Sequence, residues 1–170
     1  KIFLFATCAI CALISVMTGS SWTTIATVGV ALIGIGAAQG YSAGWTAGAI
    51  ISGAYFGDKI SPLSDTTTLA SSSAGTPLFT HIRYMLITTI PSFAIALVIF
   101  LIVSLTHDVN SQGTITEFSS DLASAFNINL WLLIVPLITG VLIARKMPAI
   151  LTLFVAVLLA AVAALIFQPH

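Results

Sequence analysis

"YFGDKISPLSDTTTLASSS", residues 55–73, sets the problem of this chain. Asp58, Lys59 and Asp65 place two of the five acidic residues and one of the five basic ones within eight positions, and a run of hydroxyls follows. Nearly everything around the stretch is apolar. The chain is 58% hydrophobic and only 6% charged, with a mean hydropathy of +1.13. Soluble domains carry about 25% charged residues, so the composition is that of a membrane protein. A formal net charge of zero leaves no basic patch for phosphates and argues against a nucleic-acid partner.

Working outward, the apolar segments read as membrane helices, which need about 20 mostly apolar residues. Met85 to Leu105 and Met147 to Phe167 meet that length without a charge, and Ile128 to Ala144 also qualifies. Ile2 to Met17 and Trp22 to Ala38 are short for full crossings and are separated by the polar "TGSS", residues 18–21. They read either as two crossings or as a re-entrant hairpin with a buried tip. A signal peptide at residues 1–17 is disfavoured, because no small-x-small cleavage site follows closely. Tyr41 to Gly57, rich in Gly, Ala and Ser, lets neighbouring helices approach closely and reads as buried in protein. Lys1 leads directly into an apolar run without a methionine, and residues 1–170 are expected to be a single transmembrane domain of a longer protein.

Basic residues give the orientation. Arg145 and Lys146 mark a cytoplasmic turn, Thr106 to Asn127 an outer loop with acidic but no basic residues, and Arg83 the cytoplasm again. In the outer loop, Thr114 and Glu117 match a capping box, and Ile115, Phe118, Leu122 and Phe126 recur at helical spacing. A short interfacial helix is expected there.

Two readings of residues 58–82 remain open on the residues alone. One is a solvated cytoplasmic loop, since Gly57-Asp58 and Ser61-Pro62 are turn chemistry. The other is a broken membrane helix: Gly57 ends the first half, "DKISPLSD" runs unwound, and Ser64 or Asp65 caps the second half. Transporters build ion sites at such breaks, and intramembrane carboxylates are functional-site candidates by default. Sodium requires oxygen ligands. Asp58, Ser61, Ser64, Asp65, Thr66 and Thr67 could supply them, with Lys59 balancing charge in the empty site. Desolvation favours the protonated form of a carboxylate and a neighbouring cation the ionised form. A buried carboxylate that holds either a proton or a sodium ion, never both, is sufficient for antiport.

"SGAYFGDKISPLSDTTTLASSSAGTPLFTHIRYML", residues 52–86, resembles the motif of the NhaC-type sodium/proton antiporter family, and "TGSSWTTIATVGVALIGIG", residues 18–36, resembles that family's preceding segment. The strong likeness covers about residues 18–91, the remainder fitting by hydropathy. It implies an all-α, polytopic helical membrane protein with a re-entrant-like hairpin and a broken helix, about one half of an inverted-repeat transporter. It implies a sodium/proton antiporter of the cell (inner) membrane, with Na+ at Asp58 and Asp65, and not an enzyme. The family also contains exchangers of malate for lactate, which its shared motif does not separate from sodium/proton exchange. Thr18, Ser20 and Ser21 would then form a hairpin tip facing the break. No cofactor is expected beyond transported Na+. The expected partners are Na+, H+, the bilayer and the remaining half of the transporter, and a homo-oligomer is admissible.

Other residues are given packing roles. Cys8 and Cys11 form a C-x-x-C inside an apolar helix without a second Cys or His cluster. His81 and Arg83 anchor a cytoplasmic helix end, and Pro91 and Pro136 lie inside expected helices, where kinks are tolerated. An intramembrane aspartyl protease needs Gly-x-Gly-Asp, but Tyr55 occupies the first glycine position of "YFGD".

Overall fold

The computed structural model describes residues 2–106 and 130–167. Every element among them is helical. The interfacial helix expected around Thr114 to Phe126 lies outside these residues, as do His107 and His170. The chain divides into two compact units, Lys1–Ile115 and Thr116–His170.

In the first unit, α1 (Phe3–Thr18) ends at Gly19, whose φ of 68° is left-handed and whose N–H bonds the Ser15 carbonyl. Only glycine adopts that conformation without strain. Ser20 is extended and caps α2 (Ser21–Ala38) by accepting the Thr23 N–H. α2 contains a π-helical turn at Ile25–Gly29. The reversal is therefore a helical hairpin with "TGSS" at its tip, and Gly19 and Ser21 are buried there.

α3 (Ala43–Ile60) buries one stripe, Thr46, Ala49, Ile50, Gly53, Ala54 and Gly57, at the spacing of a single helix face. Trp45, Ile51 and Tyr55 on its other face are exposed, so the helix is only half enclosed by this unit. Its small residues meet α1 at backbone distance. A Cβ on Gly53 would collide with the Cys8 carbonyl oxygen, and one on Gly57 with that of Ala12. Ser15 Oγ then donates to the Ala54 carbonyl across 2.5 Å.

The solvated-loop reading of residues 58–82 is overturned. α3 runs on to Ile60, residues 61–64 form a short break, and α4 (Asp65–Ser73) follows. Ser61 is extended (ψ 131°), as the residue before a proline must be, and Ser64 caps α4 by accepting the Thr67 N–H. The unwound stretch is thus shorter than expected, because Gly57 is a packing residue inside α3 and not its end. After Gly75 (φ 63°) the chain enters α5 (Leu78–Thr106), 29 residues with Pro91 inside. At 1.5 Å per residue it is about 43 Å long, more than a bilayer's hydrocarbon core. It starts seven residues before the expected Met85, so His81 and Arg83 lie within it.

The core of this unit gathers Leu4, Cys8, Tyr41, Ala49 and Phe100. Ser104 of α5 accepts the Leu4 N–H (2.9 Å), satisfying a first-turn donor of α1 that has no helical partner. Both cysteines are free and buried.

In the second unit, a 3-10 turn (Leu130–Leu133) leads into α6 (Ile134–Ala144), then a turn at Arg145 and Lys146, then α7 (Ala149–Phe167). Pro136 falls in the first turn of α6 rather than mid-helix. Ser21–Ala38, Leu78–Thr106 and Ala149–Phe167 are long and apolar enough to cross a membrane, and Phe3–Thr18 and Trp131–Ala144 are shorter apolar helices.

Candidate functional site

The hairpin tip and the break in α3–α4 pack directly against each other. A Cβ on Gly19 would lie 2.6 Å from the Leu63 carbonyl carbon, so no side chain fits between the two turns. Ser61 Oγ fixes the contact by donating to the Val16 carbonyl (2.6 Å). Beside this contact the first unit opens a cavity of about 560 Å³.

Asp58 sits in that cavity, in the last turn of α3. Its Oδ2 accepts the Ser21 hydroxyl at 2.8 Å. Its Oδ1 is buried and has no hydrogen-bond partner among the described residues. A carboxylate oxygen left so is costly, and a proton or a cation beside it would each remove the cost.

Ser20, Lys59, Asp65 and Thr66 line the same cavity. Asp65 is exposed to it in the first turn of α4, where the helix dipole favours negative charge, and its Oδ1 accepts the Thr66 N–H (2.8 Å). Thr66 Oγ1 shares a hydrogen bond with Ser64 Oγ (2.8 Å).

The remaining sequence-level candidates stand outside the cavity lining. Ser61 and Ser64 are fully buried and serve the break, one holding Val16, the other capping α4. Thr67 Oγ1 donates to the Lys59 carbonyl (3.1 Å), closing the end of α3. Thr18 Oγ1 lies within 3.5 Å of the Ser15 and Ser20 carbonyls, inside the tip. Ser20, Ser21, Asp58, Lys59, Asp65 and Thr66 are therefore brought together, and the other four hold the scaffold.

Sequence reasoning missed the far wall. Thr89, Ser92 and Phe93 of α5 also line the cavity, and Phe93 stacks on Phe56 of α3 with ring centroids 3.8 Å apart. The available signal was the gathering of hydroxyls, Thr88, Thr89 and Ser92, around Pro91 in a largely apolar run. No cluster of three or more His, Cys, Asp or Glu side chains exists among the described residues. A hard monovalent cation needs none, since hydroxyls and carbonyls serve it as well.

A family profile described as the Na+/H+ antiporter family matches residues 53–170. The chain is 43% identical to the malate-2H(+)/Na(+)-lactate antiporter of Bacillus subtilis over 99% of its own length and 36% of that relative. It is 41% identical to the Na(+)/H(+) antiporter NhaC of Alkalihalophilus pseudofirmus, again over 99% of this chain and 36% of the relative. The arginine/ornithine antiporter ArcD of Halobacterium salinarum is 37% identical over 88% of this chain and 32% of the relative. The likeness thus runs along the whole chain and is not confined to residues 18–91. The chain spans about a third of the length of these relatives. No solved structure matches it.

Proposed function

The chain belongs to the Na+/H+ antiporter family, and on that premise we propose that it forms the cation-binding part of a secondary transporter that exchanges sodium for protons across the cell membrane. Among the described residues, three helices long and apolar enough to cross a membrane and two shorter apolar ones fit a multi-pass membrane protein. It acts as a carrier and not as an enzyme.

The observation that carries the reading is the state of Asp58. One carboxylate oxygen is held by the hairpin tip, and the other is buried without a partner at a cavity. Sodium bound there takes Oδ1 as a ligand, with Ser20, Thr66 and Asp65 within the same cavity. A proton on Oδ1 takes its place on the return. Lys59 balances charge when the cation has left. Sodium enters as cargo, and the reading requires no resident cofactor. The rest of the transporter supplies the ligands that this chain lacks.

One observation favours a second reading. Lys59 lines the cavity, and a cation there suits a carboxylate cargo, as the name of the B. subtilis relative describes for that protein. Everted vesicles from antiporter-deficient cells expressing the full-length protein separate the two. Under sodium/proton exchange, a sodium pulse drives proton exit from the vesicle, and Asp58→Asn abolishes it at normal expression while Asp65→Asn weakens it. No sodium response in the parent, with malate or lactate exchange that Lys59→Gln removes, would establish the second reading instead.

A further inference from the structure

Within the apolar run of α5, hydroxyls gather at one place, Thr88, Thr89 and Ser92 around Pro91. The run's other hydroxyl before its end, Ser104, is accounted for by its bond to Leu4. Thr89 and Ser92 lie about one turn apart and line the cavity that holds Asp58, and Phe93 and Ala96 continue the same face.

Both hydroxyl protons are committed inside the helix. Thr89 Oγ1 donates to the Met85 carbonyl (2.7 Å), and Ser92 Oγ to the Thr88 carbonyl (2.6 Å). Each oxygen therefore offers the cavity lone pairs and no proton, which is what a hard cation requires. Neither bond serves the Ile87 carbonyl, the one Pro91 deprives of its helical donor, so repair of the proline site does not explain them. Back-bonding of this kind slightly destabilises a helix.

We propose that Thr89 and Ser92 supply the α5 side of the cargo cation's site and set its discrimination among alkali cations. The proposal rests on the sodium/proton reading of Asp58. Discrimination between cations of one charge depends on the number and spacing of oxygen ligands. Two neutral oxygens on a separate helix fix that spacing in a way that one carboxylate cannot.

The test measures sodium- and lithium-driven proton exit from everted vesicles carrying the full-length protein, comparing the parent with Thr89→Val, Ser92→Ala, Thr89→Ser and Asp58→Asn. Losing one neutral oxygen contact raises KM for sodium about three- to tenfold, and kcat is retained because the contact contributes to uniform binding. The ratio of kcat/KM for sodium over lithium shifts with it, and Thr89→Ser restores both. Unchanged KM values and ratio in Thr89→Val and Ser92→Ala, with Asp58→Asn inactive, would overturn this proposal and leave the antiport reading standing. Lower protein amounts in Thr89→Val and Thr89→Ser alike, with KM constant, would reduce Thr89 to a packing residue and overturn it too. A parent that ignores both cations would remove both readings together.

Discussion

Ser21 at the hairpin tip donates its hydroxyl to Oδ2 of Asp58, 2.8 Å away and 37 residues on in the chain. With the Ser61–Val16 bond, this bond ties the hairpin tip to the end of α3 and the break that follows. It engages Oδ2 alone and leaves Oδ1 buried without a hydrogen-bond partner among the described residues.

Removing the Ser21 hydroxyl therefore affects function more than folding. A hydrogen bond to a charged group contributes about 1.5–3 kcal/mol, and Ser21→Ala is expected to lower kcat/KM for sodium by about tenfold or more. Amounts of membrane-inserted protein should match the parent. Normal kinetics in Ser21→Ala would separate the tip from the cation site.

Glycines in α3 give a graded test of the packing. A Cβ at Gly57 meets the Ala12 carbonyl and the Ser15 side chain, whereas one at Gly44 meets nothing within 4 Å. Overpacking costs about 1–3 kcal/mol, occasionally more, and backbone yields less readily than side chains. Gly57→Ala should lower the melting temperature of the purified protein markedly, and Gly44→Ala should leave it near the parent value. Equal melting temperatures would contradict the close approach of α1 and α3.

Ser104 offers a third test, far from the cavity. Its Oγ accepts the Leu4 N–H, and the Tyr41 hydroxyl lies 3.4 Å from the same oxygen. Ser104→Ala leaves a buried backbone donor without a partner, at a cost of about 1–3 kcal/mol. Thermal stability should fall while KM for sodium holds. A raised KM at unchanged stability would show that this end of the hairpin also communicates with the cargo.

Much of the scaffold was legible because local chemistry and tertiary structure agree. Ser64 is a strong cap type and caps α4, Pro62 forces its predecessor to be extended, and the "TGSS" tip holds a left-handed glycine. Other positions carry tertiary roles that residue type alone does not convey. Gly57 suggested a helix end by propensity, but its backbone is not left-handed, and its use is to admit the Ala12 carbonyl. Thr67 suggested a ligand by residue type, but it faces the end of α3. Thr89 and Ser92 went unread because they reach the site only through the packing of α5 beside α3, a long-range relation that no local pattern encodes.

The glycine seam between α1 and α3 has a mechanical consequence. Two backbones in contact through carbonyl oxygens and Gly positions, with Ser15 and Ser61 bonded across, have no side-chain layer in which to shear. Ser21 and Asp58 therefore sit on one closely packed body, and under the proposed exchange their separation is expected to stay constant. Under the same proposal, access to the carboxylate changes through the elements around that body and not through a change within it. On the α5 side that body is bounded by the stacked Phe56–Phe93 pair, two nearly parallel rings inclined by 13°, and by the Ser104–Leu4 bond that ties α5 to the start of α1.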